Sequence, residues 1–293
     1  MSMVRLAACL LIVSSLAACG APQGEQPTPS TSSSAAPVAQ APIVVQGAMP
    51  VETQVLADAL QNRTEQQVQG WTFWSGTIDG YPVVVSRTKK GMTNAAASTA
   101  LAIERFHPLA IINQGTAGGH DPALHVLDIV VGTATANIGV FRTAERAKGA
   151  GTDFAGWRPM DLLLTEGSAG QDPRVWTMRR FEGDASLIAA AHAAAPRYTQ
   201  GTVVDGLIGS SDVWNSELDR IERLHTEFGT TAEEMEAASA AQVAGMSTVP
   251  FLGIRVLSNN ITNQGAYNGA SAEACQQYVL EVVRTYIRQR ASH

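Results

Sequence analysis

The sequence predicts an α/β fold, a three-layer α/β/α sandwich around a central, twisted, mostly parallel or mixed sheet. Two observations carry this. Short apolar, β-branched runs bounded by Gly, Pro or Asp alternate with longer stretches of helical period, which is the pattern of strands buried on both faces and joined by helical crossovers. The stretch from Ile43 to His293 is also long enough for one large domain of this class.

The chain opens on a targeting segment, residues 1–18, in which Arg5 precedes an apolar run from Leu6 to Val13. That run is too short for a mature spanning helix, which needs about 20 apolar residues. Its end, Leu16-Ala17-Ala18-Cys19, resembles a bacterial lipoprotein box. The resemblance implies cleavage before Cys19, lipid on its thiol, and a protein tethered to a membrane of the bacterial cell envelope, facing the periplasm or exterior. An ordinary secretory signal cut at Ala18 is the plainer alternative. Residues 19–42 are rich in Pro, Ser, Ala and Gln with Glu25 as their single charge, so they read as a flexible tether. Cys9 leaves with the signal, and Cys275 then remains alone. No disulfide framework or thiolate metal cluster is expected, and Cys275 is expected to pack on the C-terminal helix.

Within residues 43–293, strands are expected at Ile43–Val45, Tyr81–Ser86, Leu109–Asn113, Val126–Val131, Thr202–Ile208 and Phe251–Val256. A hairpin turning at Asp79-Gly80 is expected in WTFWSGTIDGYPVVV. Helices are expected at Val51–Leu60, Thr93–Phe106, Asp184–Ala195, Asn215–Phe228, Glu234–Met246 and Ala272–Gln289. The segment from Asn137 to Gly183 has no readable period.

A net charge of −6 argues against nucleic acid, whose phosphates demand clustered Lys and Arg. The six histidines show no metal-ligand spacing, so they read as surface or hinge residues, and no cofactor is implied. A small-molecule site is the remaining expectation. In open α/β sheets such sites lie beyond the carboxyl ends of the strands. Four polar or Gly-rich strand ends stand there: QGAMPVE (46–52), NQGTAGGH (113–120), GSSDVWN (209–215) and RVLSNN (255–260).

EEMEAASAAQV (233–243) adds three carboxylates at the start of a small-residue helix. Acids favour a helix N-terminus by about 0.3–1 kcal/mol each, which accounts for Glu233 and Glu234. Glu236, among small residues that draw neighbouring elements close, needs a partner of its own.

GAMPVE, INQGTAGG with VLDIVVG, GLIGSSDVW, EMEAASAAQVA and VPFLGIRVLSNN, in this order and spacing, resemble the purine nucleoside phosphorylase and nucleosidase superfamily. The similarity is greatest to its methylthioadenosine/S-adenosylhomocysteine nucleosidase branch, and it runs from about Val44 to the final helix. It implies a nucleoside phosphorylase-like sandwich, a homodimer, and a purine nucleoside or 5′-modified adenosine as substrate. It assigns Glu52 as the base that activates water and Glu236 to the ribose hydroxyls through charge-assisted hydrogen bonds. Met235 would pack against the sugar or base. Thr116, Gly118 and Ser258 fall at substrate-binding positions, Trp214 at the aromatic that stacks on the purine, and Asp212 near the base or in a local turn.

Gln114–Gly119 could form an anion-binding nest, but no Arg or Lys lies between Gln46 and Gln54 or between Leu109 and His120, where phosphorylases of this superfamily carry arginines. Water is therefore favoured over phosphate. Asn259 departs from the nucleosidases, whose aspartate there helps protonate the departing purine. An amide can hydrogen-bond a purine edge but has no proton to give, and loss of a general acid costs about 10²–10⁴-fold. A purine nucleoside hydrolase is the expected activity. A phosphorylase, possibly acting on 6-oxopurines, and a nucleoside-binding lipoprotein with little turnover are the alternatives.

Overall fold

A computed structural model describes residues 40–168 and 171–291. The targeting segment, Cys19 and the tether up to residue 39 lie outside the described residues. The last residues assigned to the tether already belong to the domain, because the carbonyls of Ala41 and Pro42 accept from Tyr81 Oη (3.0 Å) and the Leu109 N–H (2.9 Å).

Strand β1 (Ile43–Gly47) runs into a 3-10 turn at Pro50–Glu52 and the short helix α1 (Gln54–Asp58). A meander of β2 (Gln61–Val68), β3 (Trp71–Ile78) and β4 (Tyr81–Arg87) follows, turning at Asp79-Gly80, both in the left-handed region. Next come α2 (Met92–Phe106), β5 (Ala110–Gly119), β6 (Ile129–Asn137), and a two-stranded pair of β7 (Phe141–Arg142) and β8 (Arg158–Pro159). The rest is β9 (Arg180–Glu182), α3 (Ala185–Ala194), β10 (Val203–Ser210), α4 (Leu218–Phe228), β11 (Thr230–Glu234), α5 (Ala237–Met246), β12 (Phe251–Asn259) and α6 (Ser271–Ala291).

Ten strands make one mixed sheet in the order β11-β10-β6-β12-β5-β1-β4-β3-β2, with β9 beside β6. Its centre is parallel, while β2–β3–β4 and β12–β6 are antiparallel. The β11 end curls back until Ala232 and Glu233 pair with Gly119 and Gly118, so β5, β12, β6, β10 and β11 close into a ring. Register shifts in the β10–β6 and β12–β5 pairs supply the extra twist that this closure needs.

Successive residues of a strand face opposite sides, and the core divides accordingly. Val45, Ile112 and Ile254 pack with Leu56 of α1, Leu187 and Ala190 of α3, and Cys275, Tyr278 and Val282 of α6. Val44, Val84 and Ile111 pack on the other face with Ala102 of α2 and Ala240 and Ala244 of α5. Each fully buried Val or Ile contributes about 1.5–3 kcal/mol, so both helical layers are held to the sheet.

Three expected helices change, and the strand expected at Val126–Val131 runs from Ile129 to Asn137. The helix placed at Glu234–Met246 starts at Ala237, because Thr230–Glu234 is a strand. Glu233 and Glu234 are therefore not acids of a helical first turn. The Val51–Leu60 helix is broken at Thr53 (φ −126°) into the 3-10 turn and α1, and the Asn215–Phe228 helix begins at Leu218. The Gly-rich stretch Gln114–Gly119 continues β5 instead of forming a nest. The segment without readable period docks on α4: the Phe141, Phe154, Trp157 and Phe228 rings lie 5.4–6.2 Å apart. Arg223 sits over Phe154 and Phe228 at 5.0 and 5.4 Å and donates to the carbonyls of Phe154 and Trp157.

Candidate active site

The turn after β1 folds Glu52 back onto the sheet. Its Oε2 accepts from the N–H groups of Ala48 and Met49, each at 3.0 Å, and its Oε1 from the Thr116 N–H (2.9 Å) and Thr116 Oγ1 (3.0 Å). Four donors thus aim one carboxylate at the end of β5, with Glu52 3% exposed. The approach requires glycine at 115, where a Cβ would stand 2.8 Å from Glu52 Oε1.

Glu236 is the N-cap residue of α5 and reaches toward the same strand ends. Its Oε1 accepts from the Gly91 N–H at 2.9 Å, and its Oε2 stays 3.9 Å from the Arg255 guanidinium. Arg255, 1% exposed, is spent elsewhere: it donates to Asn113 Oδ1, the carbonyls of Asn113 and Ile254, and Glu234. Glu234 also takes Ser210 Oγ and the N–H groups of Glu236 and Ala237. Burial, and then the negative charge of Glu234, push the Glu236 carboxyl up to about 8; Glu52 adds to the rise, against Arg255 and the Gly91 N–H. The rise favours the neutral acid, which lessens the charge assistance expected of this group and adds an O–H donor. The Glu236 carboxyl thus lies within the field of the Glu52 carboxylate.

On the base side, β12 bulges at Ser258, so that Asn259 stands opposite Gly118 of β5. Ser258 Oγ donates to the Ala117 carbonyl (3.1 Å) and Asn259 Oδ1 (2.8 Å). This fixes the amide with Nδ2 beside Gly118, where a Cβ would come within 3.3 Å of it. Thr116 and Gly118 share a face of β5, about 6.6 Å apart along the strand. Glu52 hydrogen-bonds to the first and Asn259 lies against the second. Met235, Thr116, Gly118 and Asn259 are all half-buried. Two clefts, about 370 Å3 and 300 Å3, lie elsewhere and are lined by none of these residues.

Asp212 serves the frame: its Oδ1 accepts from the Met92 N–H at 2.8 Å and so caps α2 beside Gly91. Trp214 is 64% exposed and meets Tyr267 edge-on at 6.2 Å between ring centres. The structure therefore brings Glu52, Thr116, Gly118, Ser258, Asn259 and Glu236 to strand ends and leaves Trp214 largely exposed.

The phosphorylase superfamily model matches residues 42–288. The chain belongs to the phosphorylase superfamily. The 5′-methylthioadenosine/S-adenosylhomocysteine nucleosidase of Anoxybacillus flavithermus is 37% identical over 218 residues, 74% of this chain and 84% of that protein. The Psychromonas ingrahamii nucleosidase is 34% identical over 73% of this chain and 83% of its own. Among solved structures, the Neisseria meningitidis nucleosidase with methylthio-immucillin-A aligns at a TM-score of 0.67 and 29% identity, covering 84% of this chain and 99% of its own. The Colwellia psychrerythraea nucleosidase with adenine aligns at 0.67 and 28%, covering 83% and 94%. These relatives place this superfamily member on the nucleosidase branch.

Sequence reasoning missed two buried polar groups of this superfamily member. Arg255 lies in the apolar run FLGIRVLSN, and a cation inside a buried strand signals an acid partner. Glu233 accepts from Ser211 Oγ (2.9 Å), Asn215 Nδ2 (2.8 Å) and Arg220 (3.0 Å), and lies 2.9 Å from His120 Nε2. Burial alone would raise its pKa, but the His120 hydrogen bond, the His120 and Arg220 charges and Asn215 outweigh that and hold it at about 2. His120, expected at the surface or a hinge, is 5% exposed within this network. The network ties the end of β5 to the 211–215 loop that carries Asp212 and Trp214.

Proposed function

We propose that this protein is a purine nucleoside hydrolase acting on 5′-modified adenosines, the compounds that name its nucleosidase relatives. The observation that carries the reading is the Glu52 carboxylate held on Thr116 with Asn259 across Gly118 of the same strand, and the Glu236 carboxyl within the field of Glu52. Glu236 holds the ribose hydroxyls, donating one hydrogen bond as a neutral acid and accepting another. Glu52 orients a water toward C1′ and takes its proton. As the N9–C1′ bond breaks, its electron pair passes to the purine, and the Glu52 charge stabilises the oxocarbenium character of the sugar. The Asn259 amide donates a hydrogen bond to the purine edge, and the proton that neutralises the leaving base comes from solvent.

Two arginines near the Glu52 turn and the buried strands, Arg87 and Arg255, are already engaged. Arg87, which donates to Thr53 Oγ1, is stacked over Trp74 at 4.7 Å, and Arg255 is committed as described. Incubation with 5′-methylthioadenosine tests the reading: free adenine and reducing sugar should form equally fast with and without phosphate. A sugar 1-phosphate among the products, or no adenine from any nucleoside, would refute it.

The reading extends to place and assembly. The Leu16-Ala17-Ala18-Cys19 ending supports acylation at Cys19 and a tether to the cell envelope. The exposed apolar side chains Val213, Trp214, Leu218, Ile261 and Tyr267 support a homodimer that covers the rim of the site. Loss of membrane fractionation in Cys19→Ala, and a dimer mass in solution, are the expected results.

A further inference from the structure

The turn that carries Glu52 has little apolar anchorage. Of Pro50–Glu52 only Glu52 is buried, and the Val51 side chain is 52% exposed. The following helix α1 starts without a side-chain cap, because Thr53 Oγ1 donates backwards to the Met49 and Pro50 carbonyls. The first N–H groups of a helix need partners, and here they come from far along the chain. Gln276, 1% exposed on α6, accepts from the Val55 N–H (2.9 Å) and the Leu56 N–H (3.5 Å) through Oε1. Its Nε2 donates to the Val51 carbonyl (2.7 Å) and to Ala272 of its own helix (3.0 Å). A second buried amide, Gln114 Nε2, donates to the Glu52 carbonyl.

We infer that Gln276 is a positioning residue for Glu52: it clamps the backbone on both sides of that residue and so sets where the carboxylate stands. The inference rests on the assignment of Glu52 as the group that activates water. Its physical content is an accept-and-donate pair that only an amide, or a protonated carboxyl, supplies in this geometry. Side-chain packing of similar volume would fill the space without fixing the turn. The C-terminal helix thus forms part of the catalytic frame without touching substrate. A misplacement of about 1 Å at a reacting group can cost about 100-fold in rate.

The test is adenine release from 5′-methylthioadenosine between acidic and mildly basic pH by the full chain, with melting temperatures measured in parallel. The variants are Gln276→Met, Gln276→Glu and Tyr278→Phe. Tyr278 is an equally buried polar residue of α6, but it donates to Ala191, away from the turn. Gln276→Met should lower kcat by about 10- to 100-fold with KM nearly unchanged, whereas Tyr278→Phe should keep the wild-type kcat. Gln276→Glu keeps the acceptor and lacks the donor until it is protonated, so its rate relative to wild type should rise as pH falls. Wild-type kcat in Gln276→Met overturns the inference, as does an equal loss in Tyr278→Phe. Should Gln276→Met not fold, a pH-independent ratio for Gln276→Glu overturns it alone. A wild-type chain that releases no base sinks the parent assignment of Glu52 and this inference with it, an outcome separate from an active wild type with unaffected variants.

Discussion

Arg255 contacts Glu234 directly and stands 3.9 Å from Glu236. One guanidinium serves two buried carboxyls unequally, and the group it leaves is the one proposed to hold the ribose. Breaking a buried pair is costly because it strands a charge, so Glu234 keeps the cation. The Glu236 carboxyl is pushed toward its protonated form, which suits the hydrogen bonds proposed for it.

That proton makes stability depend on pH. The Glu236 pKa is raised from 4.5 to about 8 on folding, so the folded chain binds more protons than the unfolded one between these values. Its contribution is fully present below the unfolded value and is lost as pH rises through about 8. Glu236→Gln, which cannot ionise, should match wild type near pH 5 and exceed it above pH 8 by on the order of 3 kcal/mol. Chemical denaturation at the two pH values checks this. An equal difference at both would assign the proton elsewhere.

Asn259 limits the rate if it stands at the departing base. Asn259→Asp restores a group able to carry a proton there, and kcat for adenine nucleosides should rise by about 10²-fold or more in mildly acidic buffer. An unchanged kcat would move the base away from Gly118 and Asn259.

Gly115→Ala tests the frame of Glu52 without altering any polar group. The added methyl would meet Glu52 Oε1 at 2.8 Å, so the carboxylate must shift from its place on Thr116. We expect kcat to fall by about 100-fold, with a smaller effect on the melting temperature. Kinetics like those of wild type would show that the Glu52 position is not critical.

Much of this was legible in the sequence, and the exceptions have physical causes. The central strands announced themselves because both faces are buried, as in IVV (43–45) and AII (110–112). The motifs around Glu52 and Glu236 single these two carboxyls out as candidates, and the structure places both at the ends of strands. Strand β2, QNRTEQQV, was not, since it forms a sheet edge with most of its residues exposed and carries no apolar alternation. Glu233 and Glu234 read as acids of a helix start because they hide the end of a strand whose successive side chains enter two different polar networks. The Asn137–Gly183 segment is held by ring contacts and by arginines on carbonyls, interactions that leave no period in a sequence.

The central claim is that Glu52 and Glu236 act on one sugar, and Glu52→Gln tests it most directly. With 5′-methylthioadenosine and water as the nucleophile, the variant should lose adenine release by about 10²–10⁴-fold while calorimetry still records nucleoside binding, a binding that Glu236→Ala removes. Adenine release by Glu52→Gln at the wild-type rate would contradict the account.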